Sequence, residues 1–279
     1  MKILSGSELA DKIKEEVKTH IAEKRLDVTL AVIQVGDNPA SNTYVRNKEK
    51  ACTYCGITSL VYKLPDDVSE EDLVEFVEML NTTDKIDGIL VQLPLPNHIN
   101  EHRVIQTILP SKDVDGFHEV NVGKLMIGEN TFTPCTAKGI LELLNANNVP
   151  IEGQHCVVVG RSNIVGKPTA VELLRRNGTV TVCHSRTKDL KQICREADIL
   201  VCAIGKPKFF NREYVSPKTT VIDVGIHRQE DGTLCGDVDF DDVKEIVSAI
   251  TPVPKGVGAM TVAMLMDNCV KAAEMRDEK

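Results

Sequence analysis

Two groups of residues have types and spacings suited to chemistry. The first lies in SNTYVRNKEK, where Tyr44 and Lys48 are four residues apart and share a face if the segment is helical. That places a hydroxyl-bearing ring beside a primary amine. Such an amine works as a general base or proton relay only where burial or neighbouring charge lowers its pKa. A solvated lysine in a helix already rich in charge (Arg46, Glu49, Lys50) satisfies the same pattern. Gln92, in VQLPLP, stands at the end of an apolar run, the edge at which open α/β sheets meet ligands. Its amide is able to hydrogen-bond Lys48 or a polar ring, or simply to satisfy a loop. Asp113 and Asp115 in KDVDGF place two carboxylates and a glycine in one turn, a composition that ordinary turn chemistry also favours.

The second group is VVVGRSNIVGKPT, Val157 to Thr169. β-branched residues run into Gly160, a second glycine follows at Gly166, and AVELLRR continues as a helix former. Strand, tight turn and helix N-terminus in that order bring backbone N–H groups onto a dinucleotide's pyrophosphate. Glycine suits the turn because a Cβ would block close approach of the backbone. The spacing is not G-x-G-x-x-G, and a glycine turn without a ligand fits the local pattern too. A phosphate loop of the G-x-x-x-x-G-K-[ST] kind is excluded. One residue too many separates Gly160 from Gly166, and Pro168 stands where the magnesium-binding hydroxyl belongs. The next strand, TVTVCH, ends in His184-Ser185-Arg186-Thr187, with hydroxyls and a cation but no carboxylate for a ribose 2′-hydroxyl. This favours NADP over NAD, with Arg161 as a second cation for the 2′-phosphate. Arg186 and Lys188 would equally serve to solvate a loop.

The elements that must position these residues alternate. Helical patterns cover 6–25, 40–55 and 69–81, with strands at 28–35, 57–63 and 87–92. A polar, glycine-dotted region at 110–133 precedes a helix at 136–147. Strands follow near 155–160, 179–184, 198–203, 220–224 and 247–250, and a last helix spans about 258–275. This rhythm predicts an α/β fold of two lobes with a cleft between them, the second a Rossmann-type domain with a mainly parallel sheet.

Composition narrows the classes. With 279 residues the chain has room for two modest cores. The net charge of −8 and the lack of a basic run argue against nucleic acid as the main partner. No apolar stretch is long enough for a bilayer, and MKILSGSELADKIKEEV lacks the apolar core of a signal peptide. A soluble, cytoplasmic protein is expected. Nine cysteines scattered among strands and helices suit buried thiols in a reducing compartment. Cys52 and Cys55 have metal or redox spacing but no second pair, so a structural role is expected and no metal site.

Taken in order, YVRNKEKACTYCGI, VQLPLP, KDVDGF, PCTAKGI, VVVGRSNIVGKP and TPVPKGVGAMTVAML resemble the bifunctional methylenetetrahydrofolate dehydrogenase/methenyltetrahydrofolate cyclohydrolase family. The resemblance runs from about Gly6 to Ala273. It implies a folate-binding first domain, 1–139 completed by the C-terminal helix 257–279, and an NADP-binding domain at 140–256. It also implies Lys48 as the catalytic lysine, Tyr44 as a stacking ring, Gln92 as its support and Asp115 as the pterin anchor. Contacts to NADP would fall on Gly160, Arg161, Ser162, Ser185 and Ile226, and the assembly would be a homodimer. The chain departs from the common pattern at Lys255 and Ala259 in PVPKGVGAMT and at Ala137 in PCTA. Lys255 adds a cation to a loop that borders the folate in the family, which bears on substrate preference rather than on reaction class.

Overall fold

Apolar runs without polar alternation make strands buried on both faces, as a parallel sheet sandwiched by helices requires. TLAVIQV is one, and all seven of its residues are buried. The computed structural model describes residues 1–277. Its strands in chain order are β1 (Lys2–Ile3), β2 (Thr29–Val35), β3 (Thr58–Leu64), β4 (Gly88–Val91), β5 (His155–Val159), β6 (Thr179–Cys183), β7 (Ile199–Cys202), β8 (Thr220–Asp223), β9 (His227–Arg228), β10 (Leu234–Cys235) and β11 (Ala249–Ile250). The helices are α1 (Gly6–Lys24), α2 (Pro39–Cys55), α3 (Glu70–Asn81), α4 (Glu101–Thr107), α5 (Glu119–Ile127), α6 (Cys135–Ala146), α7 (Gly166–Arg175), α8 (Leu190–Arg195), α9 (Phe240–Val243) and α10 (Val257–Asp277). None of them is long and apolar enough to cross a membrane.

The chain divides into two compact units. One joins residues 11–133 to the chain from Val262 onward; the other joins 1–10 to 134–261. These limits differ from the expected 1–139 with 257–279 against 140–256. The start of the chain moves because Lys2 and Ile3 pair in parallel with Ala249 and Ile250, adding an edge strand to the second unit's sheet.

In the first unit β2 lies between β3 and β4, all parallel. An isolated parallel bridge sets Asp113 beside Ile89 of β4. The polar region at 110–133 contains α5, a helix the sequence pattern does not announce. Val120, Met126 and Ile127 are exposed and only Asn121 and Leu125 are buried, so no amphipathic stripe appears. The second unit orders its strands β6-β5-β7-β8-β11-β1, again parallel. The order reverses between β5 and β7, and such a reversal leaves a crevice outside the strands' C-terminal ends.

The last turns of α10 hold the first unit together. Asn268 Nδ2 donates to Val114 O (2.8 Å) and to Thr133 O (3.2 Å). Lys271 Nζ donates to Thr131 O (2.6 Å). Arg276 Nη1 lies 2.8 Å from Oδ1 of Asp87, whose side chain is fully buried. Asp87 Oδ2 accepts the Thr29 N–H at 2.8 Å. Burial pushes the Asp87 carboxyl up, while the Thr29 amide and the Arg276 guanidinium pull it down. Arg276→Met keeps the aliphatic stem but strands a buried carboxylate. It should cost the first unit about 2 kcal/mol, below the full value for a buried pair because Arg276 is a third exposed. Urea unfolding followed by circular dichroism measures this in a chain without tryptophan.

Candidate active site and dinucleotide loops

Local sequence explains how α2 carries its chemistry. Asn38 caps it, Oδ1 accepting from Ala40 N (2.9 Å) and Ser41 N (3.3 Å); Pro39 opens it and Gly56, at φ +82°, closes it. Val45, Cys52 and Cys55 bury one face. Gln34 Nε2 donates to Asn42 Oδ1 at 2.6 Å, tying the first turn of α2 to β2. Tyr44 and Lys48 stand one turn apart outside that buried set, and Tyr44 is 38% exposed. Partial burial raises the Tyr44 hydroxyl above its ordinary value, which keeps it protonated and able to donate.

Lys48 Nζ donates to Gln92 Oε1 at 3.0 Å. The amide's orientation is set by its other end, because Gln92 Nε2 donates to Leu93 O at 2.7 Å. The Gln92 backbone N–H donates to Ile33 O at 2.8 Å, extending the β4 ladder by one residue. Two of the readings left open for Gln92 in the sequence, a bond to Lys48 and an amide satisfying a loop, thus occur together in one side chain.

The structure separates the two carboxylates of KDVDGF. Asp113 is 1% exposed. Its Oδ1 accepts from Gly116 N (3.1 Å) and Phe117 N (3.2 Å), and its Oδ2 from His118 N and Asn121 Nδ2 (both 2.8 Å). It is a loop-closing residue. Asp115 is half-buried, in the turn two residues beyond the Ile89–Asp113 bridge. Tyr44, Lys48, Gln92 and Asp115 all belong to the unit built on β2 and β4, with Gln92 just beyond the end of β4.

In the second unit Gly160 ends β5 at the strand reversal, at φ +132°. A Cβ there would stand 2.2 Å from Ala203 O, and one on Gly166 would stand 2.2 Å from Gly160 O. The two loops leaving β5 and β7 come closer than any side chain permits. The amides of Arg161, Ser162, Asn163 and Ile164 have no acceptor among the described residues. A glycine-framed run of open N–H groups at a helix start fits a dinucleotide's phosphates. One expectation is modified. Ser162 Oγ accepts from Val165 N (3.2 Å) and Gly166 N (3.3 Å), and Ser162 O accepts from Lys167 N (3.0 Å). Ser162 therefore caps α7 itself, and the donors it leaves for a ligand are its own hydroxyl and the loop amides before the helix.

After β6, Ser185 and Arg186 are exposed on a tight turn. The turn is closed by His184 N to Thr187 Oγ1 (2.9 Å) and Thr187 N to His184 O (2.9 Å). Ile226 is 40% exposed, with Cδ1 2.8 Å from where a Cβ on Gly258 would stand.

Sequence reasoning missed two further buried acids, Asp223 and Asp237, which shape the loops after β7 and β8. Their signal was an Asp set beside glycines after an apolar run, in VIDVG and GDVD. Asp223 takes the amides of Gly225, Asp237 and Val238 (2.9–3.0 Å). Burial nevertheless pushes its carboxyl up to about 7. All nine cysteines are buried thiols. Burial drives Cys52 up to about 12 and Cys55 to about 11, the opposite of a reactive pair.

A doubly wound half with a phosphate-type turn, joined to a half bearing a lysine–amide pair, defines a dinucleotide-dependent enzyme class. Residues 4–115 match the tetrahydrofolate dehydrogenase/cyclohydrolase catalytic domain, and residues 134–277 match the same family's NAD(P)-binding domain. The chain belongs to the tetrahydrofolate dehydrogenase/cyclohydrolase family. It is 58% identical to the bifunctional protein FolD of Lachnoclostridium phytofermentans over 275 residues, 98% of each chain. The crystal structure of the bifunctional methylenetetrahydrofolate dehydrogenase/cyclohydrolase of Campylobacter jejuni is 48% identical, with a TM-score of 0.96 and 99% of each chain covered. That of the Trypanosoma brucei dehydrogenase-cyclohydrolase, complexed with NADP cofactor and an inhibitor, is 38% identical with a TM-score of 0.94, covering 99% of this chain and 98% of that one.

Asp113→Asn replaces one acceptor oxygen by an NH2 group facing backbone donors. The expected cost is about 1–3 kcal/mol in urea unfolding.

Proposed function

We propose that this enzyme oxidises 5,10-methylenetetrahydrofolate to 5,10-methenyltetrahydrofolate with NADP+ and hydrolyses the methenyl product to 10-formyltetrahydrofolate. The observation that carries the reading is the 3.0 Å hydrogen bond from Lys48 Nζ to Gln92 Oε1, one helical turn from Tyr44 and within the segment matching the family's catalytic domain.

NADP+, when bound, supplies the hydride acceptor. The open amides of the Gly160–Gly166 loop and the Ser162 hydroxyl hold its pyrophosphate, Ser185 with Arg186 and Arg161 its 2′-phosphate, and Ile226 gives an apolar contact. On the folate side, Asp115 anchors the amino and ring N–H groups of the pterin by charge-assisted hydrogen bonds. Tyr44 stacks on the folate and supports Lys48. Loss of hydride from the one-carbon bridge leaves a cation stabilised by the flanking nitrogen lone pairs, so this step needs positioning and no obligatory base. Hydrolysis differs, because water must lose a proton as it attacks. The Lys48 amine takes a proton as water adds to the methenyl carbon, and returns it to the departing ring nitrogen as that carbon–nitrogen bond breaks to leave the formyl product. Gln92 Oε1 holds Nζ in place for that transfer.

In this reading the protein is a cytoplasmic homodimer. Buried cysteines suit a reducing compartment, and β6, with Val182 exposed, is a sheet edge able to receive a second copy. Assaying purified protein with methylenetetrahydrofolate and either NADP+ or NAD+, following reduced cofactor and formyl product separately, tests the reading. Reduced cofactor without formyl product would identify a dehydrogenase lacking cyclohydrolase activity; neither would identify a non-catalytic binder.

Lys48→Gln should lower methenyl hydrolysis by about 10²–10⁴-fold in a direct cyclohydrolase assay. Ser185→Asp places a carboxylate against the 2′-phosphate and should raise the KM for NADP+ roughly tenfold more than that for NAD+.

A further inference from the structure

Asp237 follows the β9–β10 hairpin and is completely buried. Its Oδ2 accepts from Ile204 N (2.6 Å) and Gly205 N (3.0 Å), and its Oδ1 from Lys206 N (2.9 Å). His227 Nε2 lies 2.8 Å from the same Oδ1, and against an ionised carboxylate, which only accepts, that ring nitrogen is the donor. One side chain thus gathers three consecutive amides of the loop after β7 and a ring from the residue next to Ile226.

These partners have one thing in common. The 204–206 turn continues from Ala203, whose carbonyl packs against Gly160 where the strand order reverses. Ile226 lies between Gly225 and His227, and a Cβ on Gly225 would stand 2.4 Å from both Asp237 N and Asp237 Oδ1. Asp237 N in turn donates to Asp223 Oδ1 (2.9 Å), as does Gly225 N (3.0 Å). The backbone on both sides of Ile226 is therefore fixed by this pair of acids.

We propose that Asp237 is a positioning residue for the dinucleotide, setting the turn 204–206 and the Ile226 backbone that together form the wall of the site facing Gly160. The assignment rests on the dehydrogenase reading above. Asp237 touches no cofactor atom in this scheme. A carboxylate is required because three N–H groups converge on it from one loop, and only an acceptor with two free oxygens serves them all together with the His227 ring.

The two reactions supply the test, because methenyl hydrolysis consumes no dinucleotide. Asp237→Asn turns one oxygen into a donor facing donors and frees the loop. The KM for NADP+ should rise at least about tenfold, since small misplacements at a binding site carry such penalties. Cyclohydrolase activity without dinucleotide, and the KM for methenyltetrahydrofolate, should stay within about twofold. An unchanged KM for NADP+ overturns the proposal, and so does a parallel loss of both activities, which marks a merely structural role. If Asp237→Asn yields no folded protein, His227→Gln decides: it removes only the ring contact, and the KM for NADP+ should rise about threefold with hydrolysis retained. No change in that KM overturns the proposal. A wild-type enzyme that fails to reduce NADP+ overturns the dehydrogenase reading instead, before either variant is assayed.

Discussion

A parallel sheet gathers the C-terminal ends of its strands on one edge, and the loops leaving that edge carry N–H groups that no ladder satisfies. Here buried aspartates satisfy them. Asp113 closes the loop beside β4, Asp223 the segment after β8, and Asp237 the turn after β7. Each carboxylate is almost fully removed from water and accepts three backbone amides. Burying such a charge is costly unless its oxygens are fully used. The loops are held in one conformation because only that conformation meets the requirement.

This constraint divides labour among similar side chains. In KDVDGF the buried aspartate, Asp113, spends its oxygens on the backbone, while Asp115, two residues on, is only half-buried. The same division separates Ser162, bound to the start of α7, from the amides before it, which stay open. Gln92 repeats the pattern within one side chain, its NH2 group committed to Leu93 and its oxygen to Lys48.

Much of the fold was legible in the sequence. The strands at 28–35 and 57–63 agree with β2 and β3 within a residue at each end: β2, buried throughout, reads as a plain apolar run, while β3 is an edge strand exposed at Thr58, Leu60 and Lys63. Tyr44 and Lys48 were readable as neighbours because helical spacing alone brings them together. Other features depend on partners too distant in the chain to leave a local trace. β1 is two residues long and exists only through pairing with Ala249 and Ile250. α5 hides because Val120, Met126 and Ile127 are exposed and Leu125 is its only buried apolar residue. Asp113 and Asp115 were indistinguishable, since the choice between them depends on which backbone amides fold back onto which carboxylate. The role of Asp237 was hidden for a related reason, because the amides it gathers lie about thirty residues earlier in the chain.

The chain passes between its two units more than once, and this orders events during synthesis. Asn268, on the last helix, donates to the carbonyl of Val114, the residue between Asp113 and Asp115. Arg276 answers the buried Asp87 at the foot of β4. A growing chain therefore makes Tyr44, Lys48, Gln92 and Asp115 early but lacks their final brace until its closing turns leave the ribosome. The nucleotide unit, whose last strand is complete at Ile250, has its sheet finished first. The unit that carries Lys48 has most of its chain made before the other and is completed after it.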